Sequence, residues 1–341
     1  MTIPEAIARV AEGQDLSRED AADAMRHLMQ GEGSPALIAG LLVALRMKGE
    51  TVDEITGFAS TMREMSTKVK TSKTPLVDTC GTGGDGSGTF NISTTSAFVV
   101  AGAGVAVAKH GNRAASSKCG AADVLETLGV NIEASPELVA KCIDEIGIGF
   151  LFARTLHGAM KHVAPVRSEL GMRTVFNLLG PLTNPAGACC QVIGVYDRTL
   201  VRDLAEVLAA MGTRHALVVA GSDGLDEITI SGPTHVAEAT GSHVRVYDVS
   251  PETFDVAVSP TESLRGGDAD ENAEILKAVL DGEEGPRRDV VLVNAAAALV
   301  VGEAAPDWTK GMAIARESID SGAARAKLDN LIRLSQAGES E

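Results

Sequence analysis

From about residue 74 onwards, short apolar runs alternate with longer segments whose apolar residues recur at helical spacing. The short runs are PLVDTC, GVAVAKHG, IGIGFLFA, CQVIGVYD and HALVVAGS, and helical segments such as SPELVAKCIDEIG separate them. A repeated strand–helix–strand pattern is typical of an α/β domain with a mostly parallel central sheet flanked by helices. Ligands of such sheets bind at loops that leave the carboxyl ends of the strands. A functional site is therefore expected in those loops.

The first 70 residues carry only helical patterns. The second helical segment opens at Ser17, with Asp20 three residues later as an acidic variant of the capping box, and it closes at Gly31. Three or four amphipathic helices of this kind predict a small helical bundle. The leucines of the third segment, at positions 37, 41, 42 and 45, suit either a core or a dimer contact.

These patterns predict two domains. A helical domain is expected over residues 1–70, with a helical segment near residues 165–185 as a candidate addition to it. The α/β domain is expected over residues 71–341. One late run, DVVLVNAAAALVVGE, fits either a strand or a helix.

Composition excludes several classes of function. Apolar residues make up 45% of the 341-residue chain and charged residues 22%, which is typical of a soluble globular protein. The net charge of −16 argues against nonspecific binding to nucleic acid or to an anionic membrane. The N-terminus lacks the pattern of a signal peptide, and no apolar run is long enough to span a membrane. Five cysteines without a CxxC pair indicate reduced thiols in a cytoplasmic protein.

The stretch DTCGTGGDGSGTFNIST, residues 78–94, predicts a glycine-rich turn between the first strand and a helix. It fits GxGxxG formally, but Asp85 would lie near a dinucleotide pyrophosphate, and the next strand ends in Lys109 and His110 rather than an acid. No GK[ST] follows, so it is not a P-loop. Glycine amides and a helix start suit a phosphate ester that brings a divalent metal or ribose hydroxyls. A plain tight turn capped by Asn91 stays open as the alternative.

A basic stretch follows the second strand. Lys109, His110, Arg113 and Lys118 lie there, and a helix is expected to start near Gly120. Facing the glycine loop across one crevice, this stretch suits a substrate with phosphate at both ends. A solvated charged loop is the alternative.

Several motifs occur in one order along the chain: GTGGD, NIST, KHGNRAASSKCGAADVLE, HGAMKHVAPVRSELGMRTVFNLLGPLTNPAG and DGLDEIT. Together they resemble the anthranilate phosphoribosyltransferase family over nearly the whole length. The resemblance implies a small helical domain and a large α/β domain with the active site in the cleft between them. It also implies a homodimer through the helical domain, Mg²⁺, and transfer from phosphoribosyl pyrophosphate (PRPP) to anthranilate, the second step from chorismate to tryptophan.

The resemblance also assigns residues to roles. The expected PRPP contacts are Gly81, Gly84, Asp85, Thr89, Asn91, Ile92, Ser93, Thr94, Lys109, His110, Gly111, Asn112, Arg113, Ala114, Ala115, Ser116, Ser117 and Ala121. The expected anthranilate contacts are Gly81, Asn112 and Arg167, and the expected metal ligands are Ser93, Asp226 and Glu227. Arg167, Lys109 and Asp85 are the expected catalytic residues.

Elementary chemistry agrees with these assignments. An arginine guanidinium such as that of Arg167 binds a carboxylate through two hydrogen bonds. Asp226 and Glu227 lie in a glycine-containing turn, where both can reach one metal, whereas on a strand they would point to opposite faces. His110 and His157 are candidates for late proton removal or for packing against the substrate ring.

The chain departs from the family pattern in two places. Arg154 and Gly158 stand where proline is expected, and Leu156 stands where a histidine is common. In the basic motif, Cys119 and Ala121 replace common serines. The first group borders the expected anthranilate pocket, so it bears on acceptor binding.

Three other functions fit parts of the pattern. A pyrimidine nucleoside phosphorylase shares the fold and the glycine loop, but the basic stretch and PVRSELG fit a user of PRPP and a carboxylate better. A noncatalytic relative that binds nucleic acid conflicts with the net charge of −16. An NAD-binding protein lacks the acid expected after the second strand.

Overall fold

The computed structural model describes residues 1–114 and 117–337 of the chain. Its strands are β1 (Leu76–Gly81), β2 (Ala106–Gly111), β3 (Ile148–Phe152), β4 (Cys190–Gly194), β5 (His215–Gly221), β6 (Thr234–Thr240) and β7 (His243–Val249). Its α-helices are α1 (Ile3–Ala11), α2 (Arg18–Gln30), α3 (Pro35–Lys48), α4 (Val52–Met65), α5 (Ile92–Gly102), α6 (Ala121–Thr127), α7 (Pro136–Ile146), α8 (Ala153–Leu156), α9 (Ala164–Leu170), α10 (Phe176–Leu182), α11 (Leu200–Ala210), α12 (Ala269–Leu280), α13 (Pro286–Val301), α14 (Trp308–Asp320) and α15 (Ala323–Ser335).

One seven-stranded sheet, in the order β3-β2-β1-β4-β5-β6-β7, forms the centre of the larger part. The first five strands in sequence run parallel, and each coincides with one of the five apolar runs in the sequence. Helices pack on both sides of this sheet, and four further helices form the N-terminal bundle. The predicted fold class is therefore confirmed.

The hairpin of β6 and β7 was not predicted. It extends the sheet antiparallel to β5, and most residues of β7 are exposed because it is an edge strand. Its sequence, HVRVYDV, alternates only loosely between apolar and polar residues, so its periodicity signal is weak.

The ambiguous run DVVLVNAAAALVVGE forms most of α13. Residues 290–299 of α13 are all buried, so no polar face reveals the helical period there, and the sequence alone could not separate helix from strand. Among the residues that the structure describes, no helix is long and apolar enough to cross a membrane.

In the helical bundle, α2 begins and ends at the capping residues predicted from the sequence. The Ser17 hydroxyl accepts the Asp20 amide at 3.1 Å, and Gly31 ends α2 in the left-handed conformation. Leu41, Leu42 and Leu45 are buried within the single chain, which assigns that face of α3 to the core. Helices α9 and α10 share a hydrophobic cluster with this bundle, and the cluster continues into α11 and the sheet. The division into domains near residue 70 stays a prediction.

Candidate active site

Two glycines at the carboxyl ends of neighbouring strands make room for an acidic turn. Gly81 of β1 and Gly194 of β4 are register partners. A Cβ atom at Gly81 would overlap the carboxylate of Asp226, and one at Gly194 would overlap the Asp226 carbonyl. The turn that follows β5 can therefore lie directly over the strand ends, which places Asp226 and Glu227 at the expected edge of the sheet.

Neither carboxylate of this turn has a salt-bridge partner among the described residues. Asp226 accepts a hydrogen bond from the Gly83 amide at 2.8 Å. Burial, and then repulsion from Asp85, raise the pKa of Asp226 to about 7. Burial, and then the charge of Asp226, also raise the pKa of Glu227. Two crowded carboxylates in this state suit a divalent cation.

The loop between β1 and α5 depends on glycine for its shape. Four of its residues have φ between 64° and 80°, a region that favours glycine, namely Gly83, Gly84, Gly86 and Gly88. The loop is fixed from one side by a later segment: the Gly266 amide donates to the Gly88 carbonyl at 3.0 Å, and the Phe90 amide donates to the Leu264 carbonyl at 3.1 Å. The N-terminus of α5 follows directly, so amides and a helix dipole face the crevice.

Of the predicted residues in and after this loop, Asp85 and Thr89 are partly exposed, whereas Ile92 and Thr94 are buried. Asp85 accepts a hydrogen bond from the Ser87 hydroxyl, and Thr89 pairs with Arg265 in an isolated β-bridge. The side chains of Ile92 and Thr94 are buried, so only their backbone atoms can meet a ligand.

Asn91 occupies the N-cap position of α5, but its side chain makes no capping hydrogen bond. Instead its amide donates to the Cys119 carbonyl at 3.4 Å, and its oxygen accepts from Asn272 at 3.0 Å. The alternative of a plain turn capped by Asn91 therefore does not describe this loop. Asn91 joins the glycine loop to the basic stretch.

Lys109 lies buried at the end of β2, beneath the start of α5. Its ammonium donates to the Thr79 carbonyl at 2.6 Å and lies 3.5 Å from the Ser93 hydroxyl. The same charge acts on both carboxyls of the acidic turn, where it lowers their pKa values against the stronger effect of burial. Lys109, Ser93 and the acidic turn thus belong to one electrostatic site.

A buried carboxylate, Asp78, holds the ends of β1 and β2 together. It accepts the His110 amide at 3.0 Å and the Asn184 side-chain amide at 2.8 Å, and it is fully buried. Sequence reasoning missed this residue. A charged residue inside the apolar run PLVDTC was the available signal, because such a residue is buried only when it is hydrogen-bonded.

The basic stretch is organised by acids of α6. Arg113 donates to Asp123 at 3.0 Å and to both oxygens of Glu126 at 2.7 and 2.9 Å, so its charge is already compensated. These acids raise the pKa of Arg113. Asp123 also accepts the amides of Ala114 and Gly120, at 2.9 and 2.8 Å. Arg113 thus shapes this loop and offers less charge to a phosphate than its residue type suggested.

The remaining residues of this stretch lie close together. The Asn112 carbonyl accepts the Ala122 amide at 3.1 Å, and Gly111 packs against Ala121. The Ser117 hydroxyl donates to the Cys119 carbonyl at 3.4 Å. The predicted contacts Ala115 and Ser116 lie outside the described residues.

Arg167 of α9 offers a partly buried guanidinium. It packs over the ring of Phe176 at 5.3 Å from the centroid. Within the described part of the chain its side chain has no hydrogen bond and no ion pair, and burial lowers its pKa. A desolvated guanidinium without a counter-ion suits a ligand carboxylate.

Arg173 was not predicted. Its guanidinium donates to the Gly84 carbonyl and stacks on the Tyr196 ring at 3.6 Å from the centroid. It therefore ties the segment between α9 and α10 to the glycine loop. The motif containing it was recognised as a whole, but the role of this arginine has no local sequence signal.

The segment that departs from the family pattern lies after β3. Arg154 and Gly158 are exposed, and Leu156 is buried in a small hydrophobic cluster. Cys119 lies 3.4 Å from the Asn91 oxygen, so the thiol occupies a polar position beside the glycine loop.

His110 and His157 form a buried pair with ring centroids 5.3 Å apart. Within the described residues, Nε2 of His110 and both ring nitrogens of His157 have no hydrogen-bond partner. Burial lowers the pKa of His110 to about 3 and that of His157 to about 4. Both rings are therefore neutral at physiological pH.

This pair predicts two pH profiles. We expect neither His110 nor His157 to contribute an inflection in kcat near 6.5, the ordinary histidine pKa, because neither ring changes charge there. The unfolded chain does bind protons near pH 6.5, so the contribution of the two rings to folding stability, taken as the difference between wild type and His110→Asn or His157→Asn, should fall as pH decreases from about 6.5 to about 4. Steady-state kinetics and urea unfolding at each pH measure the two effects. An inflection near 6.5 that disappears in His110→Asn or His157→Asn would contradict the first expectation.

Two family models match the chain. The model described as "Glycosyl transferase family, helical bundle domain" matches residues 4–66. The model described as "Glycosyl transferase family, a/b domain" matches residues 73–325. The two matches cover the N-terminal helices and nearly all of the sheet-containing part.

Curated relatives and solved structures agree with these matches. The anthranilate phosphoribosyltransferase of Symbiobacterium thermophilum is 58% identical over 95% of each chain, and that of Geobacter sulfurreducens is 54% identical over 97% of this chain and 99% of its own. The Thermus thermophilus enzyme structure superimposes with a TM-score of 0.93 at 47% identity, covering 97% of this chain and 99% of its own. The Saccharomyces cerevisiae enzyme, solved in complex with PRPP and Mg, gives 0.88 at 29% identity over 98% of each chain. The chain therefore belongs to the anthranilate phosphoribosyltransferase family.

Proposed function

We propose that this protein transfers the phosphoribosyl group of PRPP to the amine of anthranilate, giving N-(5-phosphoribosyl)anthranilate and pyrophosphate. This is the second step of tryptophan biosynthesis from chorismate. The observation that carries the proposal is the Asp226–Glu227 pair, which has no salt bridge within the described residues and lies directly against a glycine loop, because PRPP brings phosphate groups and a divalent metal to one place. The uncompensated Arg167 supports an acceptor that carries a carboxylate.

PRPP lies across the glycine loop and the basic stretch in this proposal. Amides from Gly81 to Gly84 and the start of α5 receive the pyrophosphate oxygens, helped by the Thr89, Ser93 and Asn91 side chains. Lys109 adds a buried positive charge beside Ser93. The loop from His110 to Ala121 receives the other phosphate, and Asp85 contacts the ribose or water on the metal.

The acidic turn suits Mg²⁺. Asp226 and Glu227 supply hard oxygen ligands without a competing cation among the described residues, and the Ser93 hydroxyl lies on the facing helix start. Mg²⁺ is usually held by one or two carboxylates together with substrate phosphates. When bound, it neutralises the charge that develops on the leaving pyrophosphate.

Anthranilate is held by its carboxylate. Arg167 forms two hydrogen bonds to it, with Asn112 and Gly81 completing the contact. The neutral rings of His110 and His157 provide an uncharged surface that packs against the aromatic acceptor.

The reaction is a displacement at C1 of the ribose. The bond to pyrophosphate breaks as its charge is taken up by the loop amides and Lys109, and the ribose passes through an oxocarbenium-like state. The aniline-type amine is uncharged at neutral pH, so its lone pair attacks from the opposite face without prior deprotonation, and the nitrogen then releases one proton to water or to the departing pyrophosphate. Positioning of the two substrates and charge stabilisation account for most of the rate.

The fluorescence of anthranilate provides the direct test. We expect the signal to fall only when protein, PRPP and Mg²⁺ are all present, with one pyrophosphate released per anthranilate consumed. Mass spectrometry of the product distinguishes transfer from quenching. A folded protein that consumes no anthranilate but cleaves pyrimidine nucleosides with phosphate would overturn the proposal.

We also propose that the protein is a cytoplasmic homodimer associated through the helical bundle. Partly exposed aliphatic residues of α1 and α3, including Ile7 and Leu37, accompany Met47, which is 83% exposed. Light scattering should give twice the chain mass of 35.2 kDa. Met47→Glu should shift the mass towards one chain, and an unshifted dimer would place the contact elsewhere.

A further inference from the structure

The turn that carries Asp226 and Glu227 is fixed at its beginning by a single carboxylate. Asp223 Oδ2 accepts hydrogen bonds from three hydroxyls: Thr229 at 2.9 Å, Ser231 at 2.6 Å and Thr261 at 2.7 Å. The other oxygen, Oδ1, accepts the Leu225 amide at 3.3 Å. Asp223 therefore closes the turn on itself and joins it to the segment that contains Thr261.

The same turn is fixed at its end by an asparagine of α13. Asn294 Oδ1 accepts the Ile228 amide at 3.0 Å, and its Nδ2 donates to the Ile228 carbonyl at 2.9 Å. Asn294 is 3% exposed and stands within the apolar run VVLVNAAAALVV. A buried amide in such surroundings is retained only where its hydrogen bonds are satisfied, and here they are made to the residue next to Glu227.

These two anchors oppose a force that acts between them. Asp226 and Glu227 are adjacent, partly buried carboxylates in this turn, between the Leu225 and Ile228 amides that the anchors hold. Repulsion between them favours opening of the turn when no cation is bound. Hydrogen bonds at Leu225 and Ile228, on either side of the pair, resist that opening.

The Asp223 anchor also reaches the glycine loop. The segment from Thr261 continues directly to Leu264 and Gly266, whose backbone atoms form hydrogen bonds with Phe90 and Gly88. One carboxylate thus connects the metal-binding turn to the loop expected to receive pyrophosphate.

We propose that Asp223 and Asn294 are positioning residues that hold the Asp226–Glu227 turn, before the substrates arrive, in the conformation that receives the metal. The inference rests on the proposed function, since it assigns the metal to that turn. Outer residues that orient metal ligands typically change metal affinity by 10- to 100-fold when they are replaced.

Binding of Mn²⁺ in the presence of PRPP and without anthranilate tests this inference independently of turnover. Mn²⁺ accepts the same oxygen ligands as Mg²⁺, and electron paramagnetic resonance reports the free ion. We expect Asp223→Asn and Asn294→Leu each to raise the Kd for Mn²⁺ by about 10-fold or more. Asp223→Asn keeps the shape of the side chain but replaces one carboxylate oxygen with an NH₂ group. That group cannot accept the hydrogen bonds that the three hydroxyls donate to Oδ2.

Thr261→Val provides a milder variant, because Thr261 is partly exposed and contributes one hydrogen bond to Asp223. We expect the Kd for Mn²⁺ to rise by about 3-fold, in line with the loss of one ordinary hydrogen bond. Ser318→Ala is the matched control: its buried hydroxyl donates to the Val99 carbonyl near the far end of α5, at 2.7 Å. This control should lower Tm without changing the Kd.

The outcomes separate the two proposals. A wild-type protein that binds no Mn²⁺ with PRPP would overturn the proposed function. Wild-type binding with an unchanged Kd in Thr261→Val and in folded Asp223→Asn would overturn the positioning role. An equal rise in Kd for Ser318→Ala would also overturn it, because the effect would then follow from general loss of stability.

Discussion

Asp226→Asn combined with Glu227→Gln is expected to lower kcat/KM for PRPP by at least about 10³-fold, because removing a single preorganised charge-stabilising group commonly costs 10²- to 10³-fold. Both side chains keep their size, so the turn over Gly81 and Gly194 keeps its packing. The loss should appear at saturating Mg²⁺, and added Mg²⁺ should not restore it. Steady-state assays across a Mg²⁺ titration measure this.

The single substitution Asp226→Asn should stabilise the fold. The pKa of Asp226 is raised from 3.8 to about 7, so the folded protein keeps a proton that the unfolded chain loses across this interval. The contribution of Asp226 to stability therefore falls as pH rises from about 4 to about 7, and an amide does not share that loss. At pH 8 and without Mg²⁺, we expect Tm of Asp226→Asn to exceed that of the wild type by at least about 2 °C, the shift for roughly 1 kcal/mol in a large domain. A double variant with full activity would contradict the first expectation. An Asp226→Asn variant with a lower Tm than the wild type would contradict the second.

Arg167→Ala should have the second largest effect. Truncating one partner of a buried charge pair costs about 2–5 kcal/mol, so kcat/KM for anthranilate should fall by roughly 30- to 5,000-fold. KM for PRPP should stay within about 3-fold of the wild type, since Arg167 meets only the acceptor carboxylate in this proposal. Arg167→Lys should recover little, because an ammonium does not reproduce two parallel hydrogen bonds.

An acceptor without a carboxylate gives the sharpest control. With aniline in place of anthranilate, wild type and Arg167→Ala should react at similar rates, so the preference for the carboxylate disappears in the variant. Arg202→Ala, which removes an exposed arginine of α11, should leave that preference unchanged. Arg167→Ala with undiminished preference for anthranilate would place the carboxylate on another residue.

The parallel part of the sheet could be predicted because each of its strands is a short apolar run bounded by turn residues. The hairpin of β6 and β7 could not, since its edge strand is mostly exposed and lacks a strict period. The helix α13 remained ambiguous for the opposite reason: burial on all sides removes the polar face that marks a helix.

The candidate site was predictable where a motif carries its own chemistry. The glycine loop and the basic stretch are of this kind, whereas Arg167 and the acidic turn were assigned through the resemblance to the family. The partners of these groups depend on tertiary contacts that no local pattern encodes. Thus Arg113 could be recognised as basic, but its pairing with Asp123 and Glu126 appears only once α6 is in place.

Gly81 and Gly194 have a consequence for how relatives of this chain are interpreted. Neither glycine has a side chain that could react, yet any larger residue at Gly194 would displace the Asp226 backbone. A homologue could keep every acid, arginine and lysine named here and still lose its metal site through one added methyl group. The residue at position 194 is therefore a criterion for distinguishing active transferases from homologues that keep the motifs but have lost catalysis.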